Sequence, residues 1–257
     1  MVAGLAASLV IGLLYAPRVR AQSASAVTPE IEVSTIKRSD YPGRLIGLPG
    51  PTLTTRGTTL KDVILWAYNV HPSQVLGGPG WLDSDKYDIV AKPEGGVLLD
   101  GEQIKQMLRT IMTDRFHLSL RHETKELLVY ALTIGKNGPR MKVRTDGDGG
   151  AAFTLLISGP RWPVRNAPMA QMVSVLQMVV LDRPVLDKTG LTGRFDFDLA
   201  WTPDETQFGG RGATMPGDPN APNIFTAFQE QLGLKLEPQK APIDVLVIDR
   251  VERPSEN

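Results

Sequence analysis

The sequence predicts an α+β fold: duplicated helix–strand–strand units that form two similar lobes of small sheets with helices on one face. Three observations carry this. Helical periodicity recurs four times, each helical stretch is followed by two stretches of period two, and the second half of the chain repeats the pattern of the first.

In the first unit, Leu60, Val63, Ile64, Ala67 and Tyr68 form the apolar stripe of a helix, and Thr59 with Asp62 supplies its N-terminal cap. Strands follow at 74–76 and 86–91. Asp100 and Gln103 cap the second stripe, Ile104, Met107, Leu108, Ile111 and Met112. Its strands fall at 116–121 and 128–134, with Arg121-His122-Glu123-Thr124 read as a polar hairpin turn between them. Asn166 reads as the cap of the third helix, which carries Met169, Met172, Val173 and Leu176 on one face and is followed by strands at 185–186 and 194–201. Asn223 precedes Ile224, Phe225, Phe228 and Leu232 in the fourth, and Gly233 stands where a helix ends in the left-handed conformation. The last strands fall at 234–237 and 244–251. A lone strand at 31–36 opens the first half, with 153–157 as its counterpart.

The halves align by residue. Tyr87-Asp88-Ile89-Val90-Ala91 matches Phe195-Asp196-Phe197-Asp198-Leu199, and 116–132 matches 232–248 without a gap. Apolar residues coincide at Phe116/Leu232, Leu118/Leu234, Leu120/Leu236, Leu127/Ile243, Val129/Val245 and Ala131/Val247. The expected organisation is a signal peptide at 1–21, a linker at 22–29, a first lobe at 30–139, a linker at 140–152 and a second lobe at 153–257. The Gly- and Pro-rich stretch 204–223 reads as a long mobile loop.

Composition narrows the functional classes. With 42% hydrophobic and 22% charged residues the chain can bury a core, and 28 basic residues balance 28 acidic ones, which argues against a nucleic-acid binder. The apolar run from Val2 to Tyr15 is shorter than the roughly 20 residues that span a bilayer, and small residues at Val19 and Ala21 suit signal-peptide cleavage after Ala21. No Lys or Arg precedes that run, so retention as an N-terminal anchor stands beside cleavage. The chain holds no cysteine, which removes thiol nucleophiles, Cys-ligated zinc and iron–sulfur sites.

Candidate chemistry is sparse. His71 reads as a capping residue beside Pro72. His117 and His122 stand five apart, an odd spacing that sets them on opposite faces of a strand and prevents them from sharing a metal. Asp196 and Asp198 share one face of a strand whose other face carries Phe195, Phe197, Leu199 and Trp201; a wet outer face outweighs an acid–base pair. Asp146-Gly-Asp148 lacks the remaining positions of a calcium loop. Neither G-x-S-x-G, a P-loop nor G-x-G-x-x-G occurs; Ser158-Gly159-Pro160 stands alone. Gly77-Gly78-Pro79-Gly80-Trp81 and Thr189-Gly190-Leu191-Thr192-Gly193 supply turns, with Trp81 read as a plug on the local core. No residue is therefore assigned a catalytic, cofactor-binding or metal role, and no cofactor is expected.

Thr59-Leu60, Gly77–Leu82, Asp114-Arg115-Phe116, the block from Asp187 to Asp196 and the C-terminal Val245–Asp249 together resemble a soil-associated family of exported bacterial proteins known as a domain of unknown function. The resemblance runs from about Glu30 to the C-terminus and implies export and fold without an activity. A T-L-x-x-hydrophobic helix followed by short strands is also distantly similar to the small N-terminal domains of secretins and TonB-dependent receptors, which are periplasmic interaction modules. The expectation is a non-enzymatic envelope binding or interaction module, periplasmic or extracellular, that meets an envelope protein or peptide through sheet edges or the loops around Trp81 and 204–223. It would bind no nucleic acid and touch the membrane only through an uncleaved N-terminal segment. The alternatives are an extracytoplasmic hydrolase using Asp196, Asp198, His117 or His122 between the lobes, and a sensor domain of a membrane-associated system.

Overall fold

The computed structural model describes residues 30–47, 50–145, 152–153, 161–214 and 220–255. The expected signal peptide and following linker, Asp146 to Asp148, and Ser158 to Pro160 lie outside the described residues.

The chain begins with β1 (Ile31–Arg38), β2 (Leu45–Gly47), β3 (Leu53–Thr59), α1 (Leu60–Tyr68), β4 (Val75–Gly77) and β5 (Lys86–Pro93). It continues through α2 (Gly101–Phe116), β6 (Ser119–Ile134), β7 (Lys142–Arg144), β8 (Ala152–Phe153), β9 (Arg161–Pro168) and α3 (Met169–Val175). It ends with β10 (Val185–Asp187), β11 (Arg194–Ala200), α4 (Ile224–Ala227) and β12 (Leu234–Arg250). Among the described residues the strands form three four-stranded sheets, ordered β1-β5-β3-β2, β10-β6-β12-β4 and β7-β11-β9-β8. Mixed helices and small sheets make this an α+β fold, as the sequence predicts.

The helix signals hold at most ends. The Thr59 hydroxyl accepts from Asp62 N at 3.1 Å while Thr59 N donates to the Asp62 carboxylate at 3.0 Å, and α1 stops at Asn69 with φ 54°. Asp100 and Gln103 close the same reciprocal cap on α2. Asn223 caps α4, whose helical path widens to i→i+5 bonding over Phe228–Leu232 and ends at Gly233 with φ 67°. The expected cap at Asn166 is a correction. The N-cap of α3 is Pro168, and Asn166 belongs to β9, where a left-handed φ of 53° accompanies the register shift opposite Phe195 and Phe197. Its N–H is taken by Asp196 Oδ1 at 2.8 Å and its carbonyl by Arg194 at 2.7 Å, so it shapes the strand.

A second correction concerns the hairpin expected at Arg121–Thr124. Those residues stay extended inside β6, which pairs antiparallel with β12 from Ser119 to Ile134. The polar run that reads as a turn is a solvent-facing stretch of one long strand, and 234–237 and 244–251 likewise merge into β12. Pro238 and Pro242 interrupt nothing: standing four apart, they place their N–H-less nitrogens on the same side of the strand, away from β6.

Two further segments differ from expectation. Residues 142–144, placed in the linker, form β7 and pair with β11. The first part of 204–223 is packed: Gln207 is buried and accepts from Trp201 Nε1 at 2.7 Å, and Phe208 stacks on Trp201 at 6.2 Å.

The two main cores exchange strands through the central sheet. Leu246 and Ile248 of β12 pack with α1, α2 and β5, while Tyr130 and Leu132 of β6 pack with α3, α4 and β11. β4 pairs parallel with β12 (Val75↔Leu246), and β10 pairs parallel with β6 (Val185↔Tyr130). A third, small cluster of Val129, Ala241 and Ile243 lies midway along the ribbon.

Candidate functional site

The residues singled out in the sequence do not converge. His117 ends α2 in the left-handed conformation and faces Glu252 at 3.9 Å, whereas His122 lies on β6 with Nδ1 2.6 Å from Asp244. Asp196 and Asp198 lie on β11, which borders β7 and β9. Asp196 accepts from Asn166 N and pairs with Arg144 at 3.2 Å; these contacts, the backbone bond first, hold its carboxyl below the usual range. Asp198 receives both oxygens' bonds from Arg165 at 3.0 Å. Among the described residues no group of three His, Asp or Glu side chains could hold a metal ion.

The turn motifs are structural. Asp187 accepts from both N and Oγ1 of Thr189, at 2.9 and 2.7 Å, and Thr189 Oγ1 in turn accepts from Leu191 N. Gly78, at φ 82°, could carry no Cβ without meeting the Leu82 methyl at 2.3 Å. Trp81 packs on the first core beneath Arg253, whose guanidinium stands 5.2 Å from the ring.

A cleft of about 330 Å³ opens between the halves, lined among others by His71, Gln177, Leu181, Asp182, Thr206 and Gly209. His71 caps the short turn after α1: its Nδ1 accepts from Ser73 N at 3.1 Å, and its own N–H goes to Gln74 Oε1 at 2.9 Å. Burial lowers its pKa, opposed by the Leu181 carbonyl and the Asp182 carboxylate. Tyr130 donates to Asp182 at 3.1 Å, and burial, then Asp182, push its hydroxyl up to about 12. Asp204 is pushed up by burial but held below its usual value by Thr206 and Gln207. Hydrogen bonds within the fold engage these polar groups, so the cleft reads as a seam between the halves.

The central ribbon presents the feature that sequence reasoning missed. Tyr130 N donates to Pro184 O and Lys188 N to Leu132 O, both on the side of β6 away from β12. Even-numbered residues of β6 therefore direct their backbone groups outward. β10 occupies that side only from Tyr130 to Leu132. From Ser119 to Val129 no strand lies there among the described residues, so Leu120, His122, Thr124, Glu126 and Leu128 face outward with N–H and C=O; the last four of them are exposed. The outward side of β12 differs. Gln74 Nε2 takes the Asp244 carbonyl at 2.9 Å, β4 covers Leu246 to Ile248, and Pro238 and Pro242 have no donor to offer. One edge of the ribbon is blunted and the other is open. The open edge carries Arg121, bonded to Glu123 at 2.8 Å, and Lys125, 3.5 Å from Glu123; the Arg121 bond foremost lowers the Glu123 pKa. The signal was the contrast between two prolines in β12 and their absence from β6.

Fold and edge together define a mixed α+β protein built on a long antiparallel ribbon, with a strand edge that is unpaired among the described residues as its candidate binding feature. The chain belongs to a protein family of unknown function, DUF3738, whose profile matches residues 61–251. Comparison with curated proteins and with solved structures returned no match.

Proposed function

We propose that the protein is an exported, non-enzymatic interaction module of the cell envelope, built by duplication of a two-helix, four-strand unit, that binds by accepting a strand on the open edge of β6. The single observation that carries the reading is that edge: a run of outward backbone donors and acceptors from Leu120 to Leu128, exposed over most of its length, beside a β12 edge that two prolines close. Strand addition draws its affinity from such main-chain groups and its selectivity from alternate side chains. The duplication is supported by matched pairings, since Val75 meets Leu246 where Val185 meets Tyr130, and β5 and β11 hold equivalent places in their sheets. Export is supported by the N-terminal sequence alone.

Affinity capture and cross-linking from the native envelope test the proposal, with Thr124→Pro as the comparison. A partner retained by the wild type and lost by the variant is the expected result. Capture no better than background, or capture indifferent to the proline, would overturn it.

A further inference from the structure

We infer that the strand received by the β6 edge is the β6 edge of a second copy of this chain, laid antiparallel with Thr124 opposite its own counterpart. The inference rests on the reading of β6 as a docking edge and names its occupant.

Length is the first argument. The open stretch runs from Ser119, where β6 begins, to Val129, beside the first residue covered by β10. In a register centred on Thr124, the second copy's Ser119 comes opposite Val129 and stops short of β10. Both open edges are then filled from end to end, and a two-fold axis passes through the Thr124 pair.

Charge is the second. In this register Glu123 lies opposite the second copy's Lys125, and His122 opposite Glu126, each pair occurring twice by symmetry. Leu120 meets Leu128, and Arg121 meets Leu127. Leu128 is 52% exposed, and the Leu120 contact takes part of that apolar surface out of water. The neighbouring registers are penalised. Centring on residue 123 sets Glu123 against Glu123 and Arg121 against Lys125, and centring on 125 sets Lys125 against Lys125.

Hydrogen bonding is the third. Thr124 is an outward-facing residue, so at the axis it exchanges both N–H···O bonds with its counterpart. The β12 edge cannot associate in this way, because Pro238 and Pro242 interrupt its donors. Association therefore closes at two copies instead of growing into a filament.

Analytical ultracentrifugation of the purified protein tests this. The wild type is expected to sediment as a dimer, and Thr124→Pro, which removes the central donors from an edge position, as a monomer with unchanged far-UV circular dichroism. Lys125→Glu sets Glu against Glu123 twice and should weaken the dimer about tenfold. Adding Glu123→Lys restores opposite charges and should recover it, which decides the matter even where the proline variant fails to fold. A wild type that is monomeric at every concentration, or a dimer indifferent to all three variants, would overturn the inference. A monomer that still captures an envelope partner through the β6 edge would overturn the second copy alone and leave the docking reading standing.

Discussion

At the scale of single residues, the polar side chains are spent on structure: His71 and Asp196 hold backbone N–H groups, while His122 and Asp198 pair with other side chains. Trp201 Nε1 is buried and Gln207 Oε1 is its acceptor. Gln207→Leu removes that acceptor while keeping much of the volume, and should cost about 1–3 kcal/mol in urea denaturation; an unchanged midpoint would show that the bond contributes nothing net. His71 gives a pH dependence. Burial depresses its folded pKa, with the Leu181 carbonyl and Asp182 pulling the other way. The unfolded chain therefore takes up the proton first as pH falls. The stability His71 contributes is whole above the ordinary histidine value of about 6.5 and is lost as pH falls from there through the depressed value. His71→Asn keeps an acceptor for Ser73 N but does not titrate, so between about pH 7.5 and pH 5.5 its melting temperature should fall less than that of the wild type. Equal losses would assign the titration to another group.

At the scale of elements, legibility followed the strength of local signals. α1 and α2 were readable because Thr59/Asp62 and Asp100/Gln103 are reciprocal caps fixed by sequence spacing. Asp100→Ala should accordingly destabilise the protein by about 1 kcal/mol, seen as a lower denaturation midpoint with an unchanged slope. β5 and β11 were readable from strict alternation, Tyr87 and Ile89 in one, Phe195 and Phe197 in the other. β3 and β9 were not. In β3 the buried side chains include Thr55 and Thr58, which satisfy one another at 3.0 Å, so burial there is not marked by apolar letters. In β9, Pro163 and Asn166 are poor strand formers, yet Pro163 pairs in register with Asp198 and Asn166 sits within the register shift against β11. The run from Arg121 to Thr124 within β6 reads as a turn for a related reason. A solvent-facing strand and a polar turn have the same composition, and only the partner strand 128 residues away, where Arg121 meets Asp249, decides between them. The open edge shows in the sequence only as the contrast between Pro238 and Pro242 in β12 and a β6 without proline, because an edge is defined by its neighbours.

At the scale of the molecule, the division into a half at 30–139 and a half at 153–257 describes the sequence better than the energetics. Each half completes the other. The first core needs Leu246 and Ile248 from β12, and the second needs Tyr130 and Leu132 from β6 and Met141 from the connecting segment. Among the described residues, β4 and β10, three residues each, find their strand partners in the opposite half. A three-residue strand has no stability of its own, and a core stripped of two large apolar residues loses roughly 1.5–3 kcal/mol of burial for each. That is a large share of the 5–15 kcal/mol typical of a whole domain. Either half expressed alone should therefore lack a cooperative transition. Mixed in equal amounts, the two should regain one, because β6 and β12 then recover their pairing from Ser119 to Ile134. In the intact chain, tryptophan fluorescence and far-UV circular dichroism should report a single coincident unfolding curve, since Trp162 and Trp201 lie in the second core, Trp66 and Trp81 pack against the first, and the helices are shared between both. Two separated transitions, or an isolated half that melts cooperatively, would mean that the lobes are independent domains and that the ribbon only tethers them.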